Sequence, residues 1–179
     1  MSMRCIFFAV MISLSFGALN AQGYCPNPND NDFYYEECFE PSIPIPDEVV
    51  AEIIKTEEGK SGFDSLSPDK RQHLGSYFSA RVISLGTKGE RDLIVMGKGP
   101  MTGADNSWFW IVRQGPQSPN VVLWAGANSI IVLKTKTHGL RNIESDWCSA
   151  AFCESKRYKY NGTKYIVVWS KSEQQKPHK

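Results

Sequence analysis

The chain has 179 residues, 20 Lys and Arg against 19 Asp and Glu, and a net charge of +1. A balance this close to neutral argues against nucleic acid or an anionic membrane as partner, since both call for a basic face. The length suits one domain with a proper core.

The first residues read as a secretory leader. Arg4 supplies the positive start, Cys5 to Phe16 is an apolar run, and Gly17-Ala18-Leu19-Asn20-Ala21 is a small-residue region with cleavage expected after Ala21. The apolar run is shorter than the about 20 residues a membrane span needs, so no span is expected once the leader is removed. Cys5 leaves with it. Cys25, Cys38, Cys148 and Cys153 remain. An even count in an exported chain points to two disulfides, here Cys25–Cys38 and Cys148–Cys153, because each pair brackets a polar loop. Their spacings make a poor zinc knuckle, and no metal site is expected.

Residues 22–46 are expected to form an irregular strap, since Pro26, Pro28, Pro41, Pro44 and Pro46 forbid regular structure through most of it. Asp30 to Glu37 is acidic and aromatic, but Tyr35 stands where a calcium loop needs glycine. A single domain over 47–170 follows. Its first helix starts at Pro46 with Asp47 and Glu48 in the first turn. Val49, Val50, Ile53 and Ile54 share one face, Glu57 and Glu58 close the helix, and Gly59 ends it. A second short helix begins at the N-cap Ser67 and stops by Gly75.

From Tyr77 the pattern changes to strands: Tyr77–Leu85, Asp92–Met96, Trp108–Val112, Asn120–Ala125 and Ser129–Leu133, the last two joined at Gly126. Trp108–Val112 is apolar at every position, as befits a strand covered on both faces. Arg157–Tyr160 and Lys164–Trp169 flank Asn161-Gly162, a hairpin signal. Residues 171–179 read as a disordered tail. The fold class is therefore α+β, with two short N-terminal helices packed on one antiparallel β-sheet meander.

No catalytic motif stands out. Gly97–Gly103 is glycine-rich, but a strand rather than a helix follows it, so it reads as a flexible loop and not a phosphate cradle. Asp105, Asn106 and Trp108 at its end are the candidate binding residues. His138, Asp146 and Cys148 could form a thiol site, but oxidation of Cys148 would remove it. Glu144 and Asp146 lie on one side of a strand end and form a carboxylate pair of the kind hydrolases use. Aromatics crowd the strand half: Trp108, Trp110, Trp124, Trp147, Trp169, Tyr158, Tyr160 and Tyr165. Most should be core, and a few left exposed would make a binding platform. Asn161-Gly162-Thr163 also matches a glycosylation acceptor.

The run Gly89-Glu90-Arg91-Asp92-Leu93-Ile94-Val95 resembles the strand of bacterial integrin-α-like FG-GAP and VCBS repeats. Gly139–Ile143 and Tyr158–Tyr165 resemble segments of small secreted bacterial proteins. The resemblance implies a secreted bacterial β module. It carries no calcium site, because Gly86-Thr87-Lys88-Gly89 has no carboxylate where the repeat's acidic loop would stand.

The expected function is a secreted or periplasmic, non-enzymatic binding protein without a cofactor, acting on a protein or glycan partner, for example as an inhibitor or immunity-type protein against a cell-wall enzyme. The alternatives are a small secreted hydrolase using the carboxylate pair and a structural envelope component.

Overall fold

A computed structural model of the chain describes residues 33–36, 39, 42–86, 91–103, 106–115 and 118–174. The expected leader, Cys25 and Cys38 with their expected disulfide, Asp105 and the last five residues lie outside them. β1 (Phe33–Tyr35) is followed by α1 (Asp47–Ile53), α2 (Glu57–Asp64) and a 3-10 segment, Lys70–Tyr77. Eight strands complete the domain: β2 (Phe78–Ile83), β3 (Asp92–Gly97), β4 (Ser107–Gln114), β5 (Pro119–Ala127), β6 (Ser129–Thr137), β7 (Leu140–Cys148), β8 (Phe152–Tyr160) and β9 (Tyr165–Gln174).

The strands form two antiparallel sheets rather than one meander, ordered β2-β3-β4-β5 and β1-β6-β7-β8-β9. Apart from the β1–β6 pairing, each is a run of hairpins, and the chain passes from β5 to β6 at Asn128, not at Gly126. Asn128 fits the corner because its groups are all used. Its amide donates to the Asp146 carbonyl (2.8 Å), and its carbonyl accepts from the Glu36 amide (3.0 Å). Its side-chain oxygen accepts from the Cys148 amide (2.6 Å), and its side-chain nitrogen donates to Glu36 Oε1 (2.9 Å). The strap therefore contains a strand, β1, which pairs with β6, and Ile43 makes a further bridge to Ala80.

The four-stranded sheet is the middle of three layers, which explains the unbroken apolar runs of β3 and β4. Leu93, Val95, Trp110 and Val112 face the helices, where Val49, Val50, Ile53 and Leu66 pack on them beside Phe78 of β2. Ile94, Met96, Phe109 and Ile111 face the other sheet and meet Tyr34, Ile130, Val132, Ile143, Tyr158 and Tyr165. On and after β2, Val82 is exposed, while Ile83 and Leu85 are buried.

The expected first helix is two helices, broken at Thr56. The Thr56 hydroxyl donates to the Ile53 carbonyl (2.6 Å) and accepts from the Gly59 amide (3.2 Å), so it ends α1 and caps α2. Gly59 lies inside α2, where a Cβ would overlap the Ile53 carbonyl. The helix expected from Ser67 is the 3-10 segment, kinked at His73. The Asn161-Gly162 hairpin forms with positive φ at Gly162 alone. Asn161 instead accepts the Thr163 and Lys164 amides on its side chain (both 2.9 Å). His138-Gly139 turns β6 into β7 with positive φ at both residues. The supposed tail from Lys171 is strand as far as Gln174.

Candidate functional site

The Gly97–Gly103 segment is folded rather than loose. The Lys98 amide donates to the Tyr77 carbonyl (2.8 Å), and Gly99–Met101 make a 3-10 turn with Gly99 at positive φ. The Thr102 hydroxyl closes the turn on the Gly99 carbonyl (2.7 Å). Two glycines approach Met101 closely, and the one against its backbone, Gly97, needs to be glycine. A Cβ on Gly97 would overlap the Met101 carbonyl, and one on Gly62 of α2 would overlap the Met101 sulfur. Met101 is thereby buried between α2 and the sheet.

A cleft of about 400 Å³ opens between these two elements. Glu57, Glu58, Ser61 and Ser65 line it from α2, Pro100 and Thr102 from the turn, and Trp108 from β4. The indole of Trp108 lies over the backbone of Gly126, where a Cβ would stand 3.2 Å from the ring. Glu58 Oε2 is buried without a hydrogen-bond partner. Burial holds the Glu58 carboxyl above its usual range, a hydrogen bond from its own amide opposes this, and the Glu57 charge adds to it. The cleft thus combines a partly desolvated carboxylate, a second carboxylate, two serine hydroxyls and an aromatic ring, a set that favours a cation.

Of the three expected binding residues, Trp108 belongs to this cleft. Asn106 shapes the turn before it: its carbonyl accepts from the Gly103 amide (2.9 Å), and its side chain packs against Gly103 and Gly126. Glu57 and Glu58 open α2 instead of closing α1, which is why they face the cleft. Thr56 two residues before Glu58 was the available signal, an N-cap type inside an apparently continuous helix.

The thiol site does not assemble, and the two carboxylates of the expected pair each have a partner. Cys148 and Cys153 are disulfide-bonded across the β7–β8 pair, so Cys148 is no thiol nucleophile. His138 lies in the β6–β7 turn with Nδ1 2.8 Å from the Tyr160 carbonyl. Glu144 pairs with Arg157, and Asp146 accepts from the Ser155 hydroxyl (2.5 Å). Both carboxylates lie among partners along one face of the sheet. Arg157 also stands over the Trp169 ring at 5.9 Å. Among the described residues no three His, Cys, Asp or Glu gather as metal ligands, and no helix is long and apolar enough to cross a membrane.

The aromatic excess divides as its positions dictate. Trp110, Tyr158, Tyr160 and Tyr165 are core, while Trp124 and Trp169 are exposed. Trp147 packs edge-on against Phe152, with ring centroids 4.8 Å apart. No protein-family model matches the chain, and no curated protein and no solved structure matches it significantly.

Proposed function

We propose that the protein is an exported, non-enzymatic binding module whose Trp108 cleft receives a basic side chain of a protein partner. One observation carries the reading: the buried, unpartnered Glu58 Oε2 in a cleft that Trp108 also lines. A buried carboxylate oxygen without a donor is costly, and an ammonium or guanidinium group would satisfy it. Trp108 offers the same cation a ring face. The disulfide Cys148–Cys153 and the leader support a site of action outside the cytoplasm.

The test is a titration with N-acetyl-arginine amide and N-acetyl-lysine amide, read on the Trp108 indole proton by NMR. Saturable shifts at about millimolar concentration are expected, weakened in Glu58→Gln and absent with N-acetyl-leucine amide. No shift with either basic probe, or equal binding of the leucine probe, sinks the reading.

A further inference from the structure

β9 ends the order of the five-stranded sheet, and among the described residues no strand pairs with its outer side. Four successive apolar side chains stand exposed on it: Ile166 at 42%, Val167 at 50%, Val168 at 46% and Trp169 at 44%. Such an edge is a template for another strand. The question is which strand fits.

A bulge in β9 decides the geometry. Trp169 opposes Arg157 and Val167 opposes Tyr158, which leaves Val168 unpaired. The Asn161 amide donates to the Lys164 carbonyl (3.0 Å), so the backbone groups of Lys164 and Ile166 face β8. By alternation those of Tyr165 and Val167 face outward. The extra residue moves the phase by one. Beyond it Trp169 and Lys171 face β8, and Ser170 and Ser172 face outward.

Antiparallel addition requires outward groups opposite outward groups and side chains on the same face. In a second copy related by a two-fold axis, residues opposite each other have sequence numbers with a constant sum. Without a bulge that sum must be even. Across this bulge it must be odd, because odd-numbered residues face out before Val168 and even-numbered ones after it. Opposing Val168 with Trp169 of the second copy satisfies the rule. It sets Val167 against Ser170 and Tyr165 against Ser172. It also sets Lys164 against Glu173, a cation opposite an anion, and symmetry repeats that pair at the other end. Both residues are exposed.

We propose that two copies of the chain join antiparallel through β9, in the register that opposes Val168 with Trp169 and Lys164 with Glu173, giving one sheet continuous through both copies. The apolar stretch lies at the centre of this pairing and charge complementarity fixes its ends. The surface belongs to the outer sheet and is separate from the Trp108 cleft.

Sedimentation velocity on the purified protein tests this. The protein should dimerise, and Lys164→Glu or Glu173→Lys alone should raise the dimer dissociation constant about tenfold, since each places like charges opposite. The double variant Lys164→Glu/Glu173→Lys should return to the wild-type value. Both positions are exposed, and circular dichroism checks that the fold is kept. In hydrogen exchange, the outward amides of Tyr165 and Val167 should gain protection with dimerisation. A monomer up to about 100 µM, well above the range of specific complexes, overturns the proposal. So does a dimer that ignores both single reversals, or one that the double variant fails to restore.

Discussion

The indole nitrogen of Trp110 donates to the hydroxyl of Thr56 over 3.0 Å. Trp110 is fully buried on the middle sheet, and Thr56 is the residue at which α1 gives way to α2. One hydroxyl thus serves three groups: it donates to the Ile53 carbonyl, caps α2 through the Gly59 amide and accepts from the tryptophan. The helix layer is registered on the sheet at this point, and the cap at Thr56 starts the turn of α2 from which Glu58 lines the cleft.

Thr56→Val keeps the shape and removes all three hydrogen bonds. Loss of the cap costs about 1 kcal/mol. The buried indole N–H left without an acceptor costs about 1–3 kcal/mol more. Thr56→Ser keeps the oxygen and should lose under about 1 kcal/mol, the methyl's share of burial. Urea unfolding followed by tryptophan fluorescence should separate the two variants by about 1 kcal/mol or more. Equal stabilities would mean that the hydroxyl does not hold the layers together.

Much of this was open to reading in the sequence where the cause is local. Leu93–Met96 and Trp108–Val112 are apolar throughout because helices cover one face and a sheet the other. Cys148 and Cys153 flank a short loop and bond across it. The partition of the strands into two sheets rests on the Asn128 corner, and its partners Glu36, Asp146 and Cys148 are distant in sequence. The tail read as disordered is strand because β8 pairs with it as far as Gln174, although its own side chains are polar. Trp108 was legible as a candidate, and it lines the cleft. The acidic half of its cleft was hidden, because one continuous helix turns Glu57 and Glu58 into a solvated end, whereas a break at Thr56 turns them into a lining.

Glu58 gives the cleft a pH signature. Burial raises its carboxyl above the ordinary 4.5 in the folded state. A raised acid binds protons more readily folded than unfolded, so its contribution is fully present below pH 4.5 and is lost as pH rises through the elevated value. Glu58→Gln should therefore be more stable than the wild type at pH 7, by roughly a few tenths of a kcal/mol given solvent screening at a partly exposed site. The difference should vanish below pH 4.5. Thermal melts of both proteins at the two pH values check it; a Gln variant less stable at neutral pH would show that the carboxylate has a donor besides its own amide.

The disulfide bears on the compartment. A peptide map of the purified protein, reduced and non-reduced, should show Cys148 linked to Cys153 and a chain beginning at Gln22. Free thiol at Cys148 or a retained leader would remove the support for export. Replacing both cysteines by serine should lose about 1–2 kcal/mol, because the closed loop is short. The loop has its own hydrogen bonds: the Ser149 hydroxyl accepts from the Ala151 amide (3.2 Å) and the Phe152 amide (3.3 Å). Faster amide exchange should therefore be confined to the β7–β8 turn, with the Trp108 cleft untouched.

At the corner between the sheets, Asn128 and Glu36 can be tested against each other. Glu36 Oε1 accepts from the Asn128 side chain, and Oε2 accepts from the Ser107 amide (3.0 Å), which ties the strap to both sheets. Asn128→Ala removes the donor to Glu36 and the acceptor for the Cys148 amide, and should cost about 2 kcal/mol. Asn128→Asp keeps the acceptor but sets a carboxylate beside Glu36. Like charges at hydrogen-bond distance raise the folded-state pKa of the pair. The Asp variant should then regain stability as pH falls through the carboxylate range, about 4 to 5, and lose it again as pH rises. The Ala variant lacks that pH dependence relative to the wild type. Urea midpoints of the two variants at pH 4 and pH 7 distinguish them: parallel shifts would mean that the Asn128 side chain is bound to something other than Glu36.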